Sequence, residues 1–376
     1  MFNILNLLLK KIKYTLIITY NLFNFSTKKI KNSFYSESLS YQKFSYLIIK
    51  TIIDSSDDKV FYISSDINDK INLPNVYNIF IGDGFLKRIF FLVLNTENLY
   101  LTLTDLDNHF LKKTNKIKNY IYYFHSPIST FKAYTETAFD NYDIILSNGI
   151  YQENELKFAE KLYRKQNKKI VNTGYFYFDY LKNKNEESTI QNEILVAPSW
   201  NYDKKFFINE KLEILFEKLL TQKDFKIRFR PHPEIFKRSK YFLDSISEKY
   251  KSKNFFIDYS SENIEALLKS KYIFTDFSGI AIEYILVFKK PVIYFDRYSR
   301  VHNKKYKDFI NFKTMEDEVR DNFGTIIDLK NINNISEILK ISELKMKDKI
   351  DEIELFKNKN FSNFGRTSEE FKKIYF

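Results

Sequence analysis

The sequence contains no cysteine, only seven glycines and six prolines, and a single tryptophan. Without cysteine there is no disulfide framework and no thiolate site, so thiol chemistry is excluded and a reducing compartment is expected. Lys10, Lys11 and Lys13 interrupt the apolar N-terminal run well short of the roughly 20 apolar residues that a bilayer crossing needs. That run also lacks a preceding positive charge and a small-residue cleavage site, which argues against a signal peptide. We therefore expect a cytoplasmic protein.

The composition is that of a globular protein with two domains. A length of 376 residues exceeds one ordinary domain, and 44% hydrophobic with 29% charged residues excludes a disordered or membrane-spanning chain. The aromatic share of 18% accompanies many Ile, Asn and Lys residues, all encoded by AT-rich codons. The net charge of +12 is spread along the chain and favours anionic partners. Nucleotides, phosphorylated acceptors, lipid headgroups and nucleic acid all remain open on charge alone.

The N-terminus has the spacing of an amphipathic helix. Phe2, Leu5, Leu9 and Ile12 recur at helical intervals with lysines alongside. Two interpretations remain open: the first helix of a domain, or an interfacial helix that rests on anionic lipid. The second interpretation places the protein peripherally on the inner face of the cytoplasmic membrane.

From residue 58 onward, short β-rich runs alternate with longer segments of helical periodicity. This alternation predicts an α/β fold in which parallel sheets are wound by helices. The strands expected in the first half lie at 60–63, 76–81, 99–103, 120–124, 142–146 and 170–172. Those expected in the second half lie at 194–197, 226–229, 255–257, 272–274 and 292–295.

A stretch without apolar periodicity at 181–192 predicts a linker between two domains of this α/β class. We expect the first domain over 1–182 and the second over 183–350. Residues 351–376 are expected to form C-terminal helices that can pack back on the N-terminal domain. In this tail, Thr367 and Glu370 have the spacing of a capping box.

Two of the four histidines follow predicted strands. His125 comes directly after the strand at 120–124, at the carboxyl end where open α/β sheets bind ligands. His232 lies between two prolines, after Arg228 and Arg230, which the two-residue strand period puts on one face. A fixed histidine beside two guanidinium groups suits phosphate oxygens. The simpler alternatives are a histidine hydrogen-bonded within a loop and a rigid turn with solvated arginines.

A third candidate element is the turn from Thr275 through Asp276 and Ser278 to Gly279, where a predicted strand passes into a predicted helix. Such a turn presents backbone N–H groups and the positive end of a helix dipole to an anion. One helical turn later, Glu283 is placed to reach the ribose hydroxyls of a nucleotide. The alternative is that Ser278 or Asp276 serves only as a helix N-cap.

Weaker candidates complete the set. Ser199 follows the first strand of the second half, and the segment 171–174 closes the last strand of the first half, so both are expected to line an interdomain cleft. Asp105 and Asp107 have the D-x-D form that binds a metal–nucleotide complex in another transferase fold. We expect no metal site and no cofactor, because histidine, arginine and the turn together can neutralise phosphate charge.

With these elements in order, the chain resembles the CDP-glycerol glycerophosphotransferase family, whose members include teichoic-acid primases and polymerases. The similarity covers about residues 118–330 and is carried by the segments at 123–127, 230–233, 275–279 and 289–295. The residues after His125 depart from the pattern of the polymerases, and Gly279 stands where the family has a second serine. Over residues 125–149 the chain looks more like a Gram-negative surface-polysaccharide branch.

The resemblance implies a GT-B fold, with two Rossmann-like domains facing across a cleft that holds the donor, and with the donor nucleotide on the second domain. It implies that His125 and His232 are catalytic. It also implicates Arg228, Arg230, Ser199, Thr275, Asp276, Ser278, Gly279 and Glu283 in donor binding. The expected reaction transfers glycerol phosphate or ribitol phosphate from a CDP-linked donor to a hydroxyl of a glycan or lipid-linked acceptor.

Two other functions remain as alternatives. A glycosyltransferase on the same fold would use a CMP- or UDP-sugar and attack carbon rather than phosphorus. A basic RNA-binding protein is suggested by charge and aromatic content alone, but the sequence has neither a clustered basic arm nor an RNA-binding motif. We therefore expect a nucleotide-activated donor, a glycan or lipid-linked acceptor and an anionic membrane surface as partners, and no nucleic acid.

Overall fold

A computed structural model describes residues 2–25, 28–108, 111–185, 191–199, 210–251, 253–260, 262–295, 301–309, 311–329 and 334–375. These residues form two compact units. The first consists of the described residues of Met1–His125, Tyr134–Asp179 and Phe361–Phe376, and the second of those of Ser126–Ala133 and Tyr180–Asn360. The domain bounds expected from the sequence, 1–182, 183–350 and 351–376, stay predictions.

The first unit is built on a sheet of parallel strands in the order β3-β2-β1-β4-β5-β6-β7. The strands are β1 (Ile30–Ser36), β2 (Val60–Ser64), β3 (Val76–Phe80), β4 (Thr96–Leu101), β5 (Ile117–Tyr123), β6 (Ile144–Ser147) and β7 (Lys169–Asn172). The order reverses between β1 and β4, as in a Rossmann fold. At this reversal Phe34 stacks on Tyr100 at 4.2 Å between ring centroids.

The second unit repeats the same order in a sheet of parallel strands, β10-β9-β8-β11-β12-β13. The strands are β8 (Glu193–Val196), β9 (Lys226–Phe229), β10 (Phe255–Ile257), β11 (Ser270–Thr275), β12 (Val292–Tyr294) and β13 (Thr325–Ile326). Here the order reverses between β8 and β11. Apolar side chains from these strands and the flanking helices form one buried core.

Helices wind both sheets. They are α1 (Phe2–Phe25), α2 (Gln42–Ser55), α3 (Phe85–Val93), α4 (Thr130–Ala133), α5 (Ile150–Leu162), α6 (Phe176–Asn185), α7 (Glu210–Leu219), α8 (Pro233–Arg238), α9 (Lys240–Tyr250), α10 (Ile264–Lys269), α11 (Gly279–Glu283), α12 (Met315–Phe323), α13 (Ile335–Asp348), α14 (Ile350–Asn360) and α15 (Thr367–Tyr375). Short 3-10 helices occur at Leu39–Tyr41 and Tyr306–Phe309, and α11 continues as a π-helix over Tyr284–Phe288. Among the residues described, no helix combines the length and apolar character that a bilayer span requires.

The C-terminal helix α15 belongs to the first unit through the carboxylate of Asp179. This carboxylate accepts hydrogen bonds from the backbone N–H groups of Gly365 and Thr367, at 2.7 and 2.9 Å, and from the Thr367 hydroxyl at 2.6 Å. The expected capping box of Thr367 with Glu370 is therefore wrong. Thr367 is the first residue of the helix, and its hydroxyl donates its hydrogen bond to the Asp179 carboxylate.

The α/β class with parallel sheets is confirmed, and each expected strand is present within a few residues of its predicted bounds. Two strands were missed. The central strand β1 has the buried polar residues Asn32 and Ser33 beside the buried Phe34 and Tyr35, so it lacks a continuous apolar run. Its Ser33 hydroxyl donates to Thr96 Oγ1 at 3.1 Å. Strand β13 has only two residues. The predicted linker also begins later than expected, because α6 continues to Asn185, and residues 186–190 lie outside the described part.

Candidate functional site

The point where the second sheet reverses its strand order is held by Ser199 and Asp276. The backbone N–H of Ser199 donates to Asp276 Oδ1 at 2.9 Å, and its hydroxyl donates to Oδ2 at 2.6 Å. One residue earlier, the buried Thr275 hydroxyl donates to the carbonyl of Ala197 at 2.7 Å. The ends of β8 and β11 are thus joined where a doubly wound sheet binds its ligand.

The turn after β11 has the form that the sequence predicted. Ser278 is the N-cap of α11, and its side chain accepts from the N–H of Ile280 at 3.5 Å. Gly279 is the first residue of the helix, and a Cβ there would lie 2.4 Å from the hydroxyl oxygen of Ser126. Ser126 thus occupies the space into which a side chain at Gly279 would project. Glu283, in the last turn of α11, is buried.

Arg228 and Arg230 lie on the same side of β9, as the strand period predicted, and both contact Asp258. Arg228 Nη1 and Arg230 Nη1 donate to the same Asp258 oxygen, at 3.2 and 3.0 Å. The Arg228 Nε group also donates to Glu193 at 2.8 Å, and Nη2 lies 3.5 Å from Glu265, so this buried guanidinium contacts three carboxylates. Arg230 is the more exposed of the two, and its Nη1 also donates to Ser260 Oγ at 2.9 Å.

His232 is the N-cap of α8, directly before Pro233. Its Nδ1 atom accepts a hydrogen bond from the N–H of Glu234 at 3.2 Å. A neutral imidazole that accepts at Nδ1 carries its proton on Nε2, so the ring offers a donor from that side. Backbone and cap together fix a half-buried histidine two residues after Arg230. This geometry suits an oxyanion.

His125 belongs to the first unit and has an aromatic environment. Its ring lies 5.3 Å from the Tyr41 ring and 6.0 Å from the Phe44 ring. Burial, reinforced by the positive charge of Lys43, lowers the pKa of His125 to about 4. Within the described part of the chain, Nδ1 of His125 has no hydrogen-bond partner. The ring is therefore neutral at physiological pH and able to accept a proton.

The two aspartates of the D-x-D segment serve the backbone and side chains around them. Asp105 Oδ1 accepts from the hydroxyls of Thr135 and Thr137, at 3.2 and 3.1 Å, and Asp107 Oδ1 accepts from the N–H of Lys113 at 3.1 Å. Both aspartates have positive φ angles, 58° and 70°. Across the described ranges, no group of histidine or carboxylate side chains is arranged to hold a metal ion.

Sequence reasoning missed two cations beside the turn, Lys132 and Arg320, which lie over the ring of Phe277. Lys132 follows His125 by seven residues and belongs to the second unit. No spacing or composition signal distinguishes these residues from the many other basic side chains. Only the fold brings them to the turn.

Solved structures with the same fold include enzymes that act on nucleotide-linked substrates. The structure of the wall teichoic acid polymerase TagF superposes on this chain with a TM-score of 0.59 and 16% sequence identity. The match covers 92% of this chain and 86% of the TagF chain. This chain is similarly related to the UDP-GlcNAc 2-epimerase of Methanocaldococcus jannaschii in complex with UDP-GlcNAc and UDP, with 16% identity, coverage of 93% and 99%, and a TM-score of 0.57. At these identities the likeness concerns the fold, and it confirms the expected GT-B class.

In sequence, no curated protein matches the chain. The family described as CDP-Glycerol:Poly(glycerophosphate) glycerophosphotransferase matches residues 113–359, which is more than half of the chain. The match contains His125, His232 and the turn from Thr275 to Gly279, the elements on which the resemblance depended. This family match confirms the prediction that the chain is a transferase of a CDP-linked polyol phosphate. The chain belongs to the CDP-glycerol:poly(glycerophosphate) glycerophosphotransferase family.

Proposed function

We propose that the second unit binds the diphosphate of CDP-glycerol at the carboxyl ends of β8, β9 and β11. The observation that carries the proposal is the double hydrogen bond from Ser199 to Asp276, which fixes the turn at the strand reversal. Around this turn, Ser278 and Gly279 supply backbone N–H groups, while His232 and Arg230 supply side-chain donors. Phosphoryl transfer depends mostly on positioning and on neutralising the charge spread over the phosphate oxygens.

His125 is the general base of the proposed reaction. It takes the proton from an acceptor hydroxyl, and the acceptor oxygen forms a bond to the β-phosphorus of the donor while the bond from that phosphorus to the CMP oxygen breaks. The product is a phosphodiester, and CMP leaves. The His125 ring is unprotonated over the whole physiological range, which is the form that can accept this proton.

The assignment is tested with the variants His125→Ala and His232→Ala and with His302→Ala as a matched control. Each of the first two is expected to lower kcat by about 100-fold or more with CDP-glycerol, because general acid–base groups typically contribute that much. The control is expected to keep wild-type turnover. If either of the first two variants retains turnover within about threefold of wild type, the role given to that histidine is wrong.

A sugar transferase on the same fold is the second candidate, and the similarity to an epimerase solved with UDP-GlcNAc and UDP favours considering it. The two reactions give different products. Phosphorus NMR of the product identifies a phosphodiester for glycerol-phosphate transfer, whereas sugar transfer yields a glycosidic bond without phosphorus. A thermal-shift screen of CDP-glycerol, CDP-ribitol, CMP-sugars and UDP-sugars identifies the donor, because a bound ligand stabilises the fold.

We also propose that α1 holds the enzyme on an anionic membrane surface, where a lipid-linked acceptor is accessible. One stripe of α1 carries large apolar side chains that are each at least half exposed: Leu9, Ile12, Leu16, Tyr20 and Phe23. Their spacing of three or four residues puts them on one face of the helix. The neighbouring helix α3 adds the exposed side chains of Phe85 and Leu92.

The rest of α1 is held by its own unit. Tyr14 packs edge-on against Phe80 at 5.3 Å, and Asn21 Nδ2 donates to the carbonyl of Phe80 at 2.8 Å. The first 36 residues contain lysines but no acidic residue. An exposed apolar stripe on a purely basic helix fits a bilayer with anionic headgroups, because apolar burial and charge attraction then act together.

A further inference from the structure

The ring of Phe277, in the middle of the turn from Thr275 to Gly279, lies within cation–π distance of two buried cations. The ammonium group of Lys132 is 4.8 Å from the ring centroid, and the guanidinium carbon of Arg320 is 5.6 Å from it. Both side chains are at least nine-tenths buried. A cation over an aromatic face is attracted by the ring quadrupole, and the attraction is strongest when the cation is desolvated.

Asp317 joins the two cations. Its carboxylate accepts from the Lys132 ammonium, from Arg320 Nη2 at 3.1 Å and from the Thr314 hydroxyl at 2.7 Å. Nη1 of Arg320 is buried and makes no hydrogen bond in the part of the chain that the structure describes, while its guanidinium lies over the Phe277 ring. The Arg320 guanidinium therefore has an ionic contact with Asp317 and a cation–π contact with Phe277.

The backbone that carries Lys132 is itself fixed. The Lys132 carbonyl accepts from the N–H groups of His302 and Asn303, at 2.8 and 3.1 Å. The preceding residue, Phe131, stacks on Phe309 with 4.1 Å between ring centroids. The ammonium group is therefore positioned by its own backbone as well as by Asp317, and it can constrain the ring that it contacts.

We propose that Lys132, Asp317 and Arg320 form a clamp on Phe277 that holds the turn from Thr275 to Gly279 in the conformation that binds the donor diphosphate. Lys132 and Arg320 contact Phe277, and Asp317 contacts both of them, so the three act through Phe277 as positioning residues. This inference rests on the proposed function, which supplies the ligand, the donor diphosphate. It assigns a role in donor affinity to Lys132 and Arg320, which carry no catalytic chemistry of their own.

The clamp is tested first without donor, by hydrogen exchange of the amides at 275–280 in the full chain. Lys132→Met is expected to speed their exchange about tenfold, because the turn then loses one of the contacts that fix it. Lys165→Met is the matched control, since Lys165 is also a mostly buried lysine paired with an aspartate, Asp140 at 2.6 Å, but lies in the first unit. Exchange at 275–280 equal to that of the control would overturn the clamp.

The second measurement is the Kd of CDP-glycerol by calorimetry. Lys132→Met and Phe277→Leu are each expected to raise this Kd about tenfold. The double variant is expected to raise it no more than about threefold beyond either single variant, because both changes remove the same interaction. Lys132→Arg is expected to recover most of the affinity, which a loss of folding alone would not explain. If Lys132→Met folds poorly, Lys132→Met with Asp317→Asn also removes the charge that has lost its lysine partner and answers the same question.

Donor Kd values within about twofold of wild type for both Lys132 variants would refute the role in donor affinity. A wild-type chain that does not bind CDP-glycerol would refute the proposed function instead. The exchange of the turn amides would still decide whether the clamp exists.

Discussion

Ser126 lies so close to Gly279 that a Cβ on the glycine would be 2.4 Å from the serine hydroxyl oxygen. Ser126 directly follows His125, and Gly279 ends the turn that begins at Thr275. The two segments are therefore coupled by one close approach. A small residue in the turn accommodates a side chain from the segment that follows the first histidine.

Gly279→Ala is expected to lower the free energy of unfolding by about 1–2 kcal/mol, because the added methyl group overpacks the space against Ser126. The same change in a Ser126→Gly background is expected to cost less than half as much, because the clashing oxygen is gone. Urea denaturation of the wild type, the two single variants and the double variant measures this coupling. Additive losses would show that Ser126 does not constrain the residue at 279.

Substitution of Arg228 is expected to lower stability, whereas substitution of Arg230 is expected to weaken ligand binding. Arg228→Met leaves the buried Glu193 without its arginine and Asp258 with one arginine, Arg230, so the free energy of unfolding should fall by about 3–5 kcal/mol. Arg230→Met leaves Asp258 paired with Arg228 and Ser260, so stability should change little while the Kd of CDP-glycerol rises. The measurements are urea denaturation and calorimetry on both variants. Equal losses of stability would show that the two arginines have one structural role.

The sequence could place these two arginines on one face but could not assign them different roles. The strand period gives the direction of a side chain, whereas the partners Glu193 and Asp258 come from two other strand ends. The same limit applies to Lys132, whose partners Phe277 and Asp317 are far away in sequence. The histidines and the turn were found because each lies locally at a strand end, and strand ends share an edge of a parallel sheet.

In the fold, the predicted strands were those with continuous apolar runs. Strand β1 was missed because its buried Asn32 and Ser33 are polar, and the partners of Asn32 Oδ1 and of the Ser33 hydroxyl are distant in sequence. The capping box of the C-terminal helix was predicted wrongly for a related reason. Thr367 has the spacing of a capping box, but Asp179 takes its hydroxyl, and the sequence alone cannot show this third residue.

His125 is expected to make the protein less stable as the pH falls. Its pKa is lowered to about 4 in the folded chain, below the ordinary value of 6.5, so the unfolded chain takes up the proton first. The contribution is complete above pH 6.5 and is lost between 6.5 and 4, by at most about 3 kcal/mol. The free energy of unfolding of wild type and His125→Gln, measured from pH 7 to 4, should therefore converge toward low pH. Parallel curves would contradict the buried neutral ring.

The same pKa predicts the pH dependence of the reaction. A base that is unprotonated down to about pH 4 should leave kcat/KM free of an acid limb near 6.5. The acid limb should instead lie below pH 5, at the pKa of His125 in the free enzyme. An acid limb near 6.5 that disappears in His125→Gln would mean that the ring titrates as an ordinary exposed histidine.

The exposed stripe of α1 predicts membrane binding to which apolar burial and charge attraction contribute separately. Wild-type protein is expected to sediment with vesicles that contain anionic lipid and to bind neutral vesicles much more weakly, since the helix carries lysines and no acidic residue. Leu16→Ser with Phe23→Ser removes two exposed apolar side chains and should lower the partition coefficient about tenfold or more.

Tyr241→Ser with Leu355→Ser is the matched control, because both of these side chains are also highly exposed but lie on α9 and α14 of the second unit. The control should partition as the wild type does. Lys10→Gln with Lys11→Gln should weaken binding to anionic vesicles while leaving binding to neutral ones unchanged, because only the attraction to anionic headgroups is reduced. If the serine variant of α1 and its control bind equally well, the stripe does not contact lipid. Retained turnover of the serine variant on a water-soluble acceptor would place its defect at the membrane and not in the chemistry.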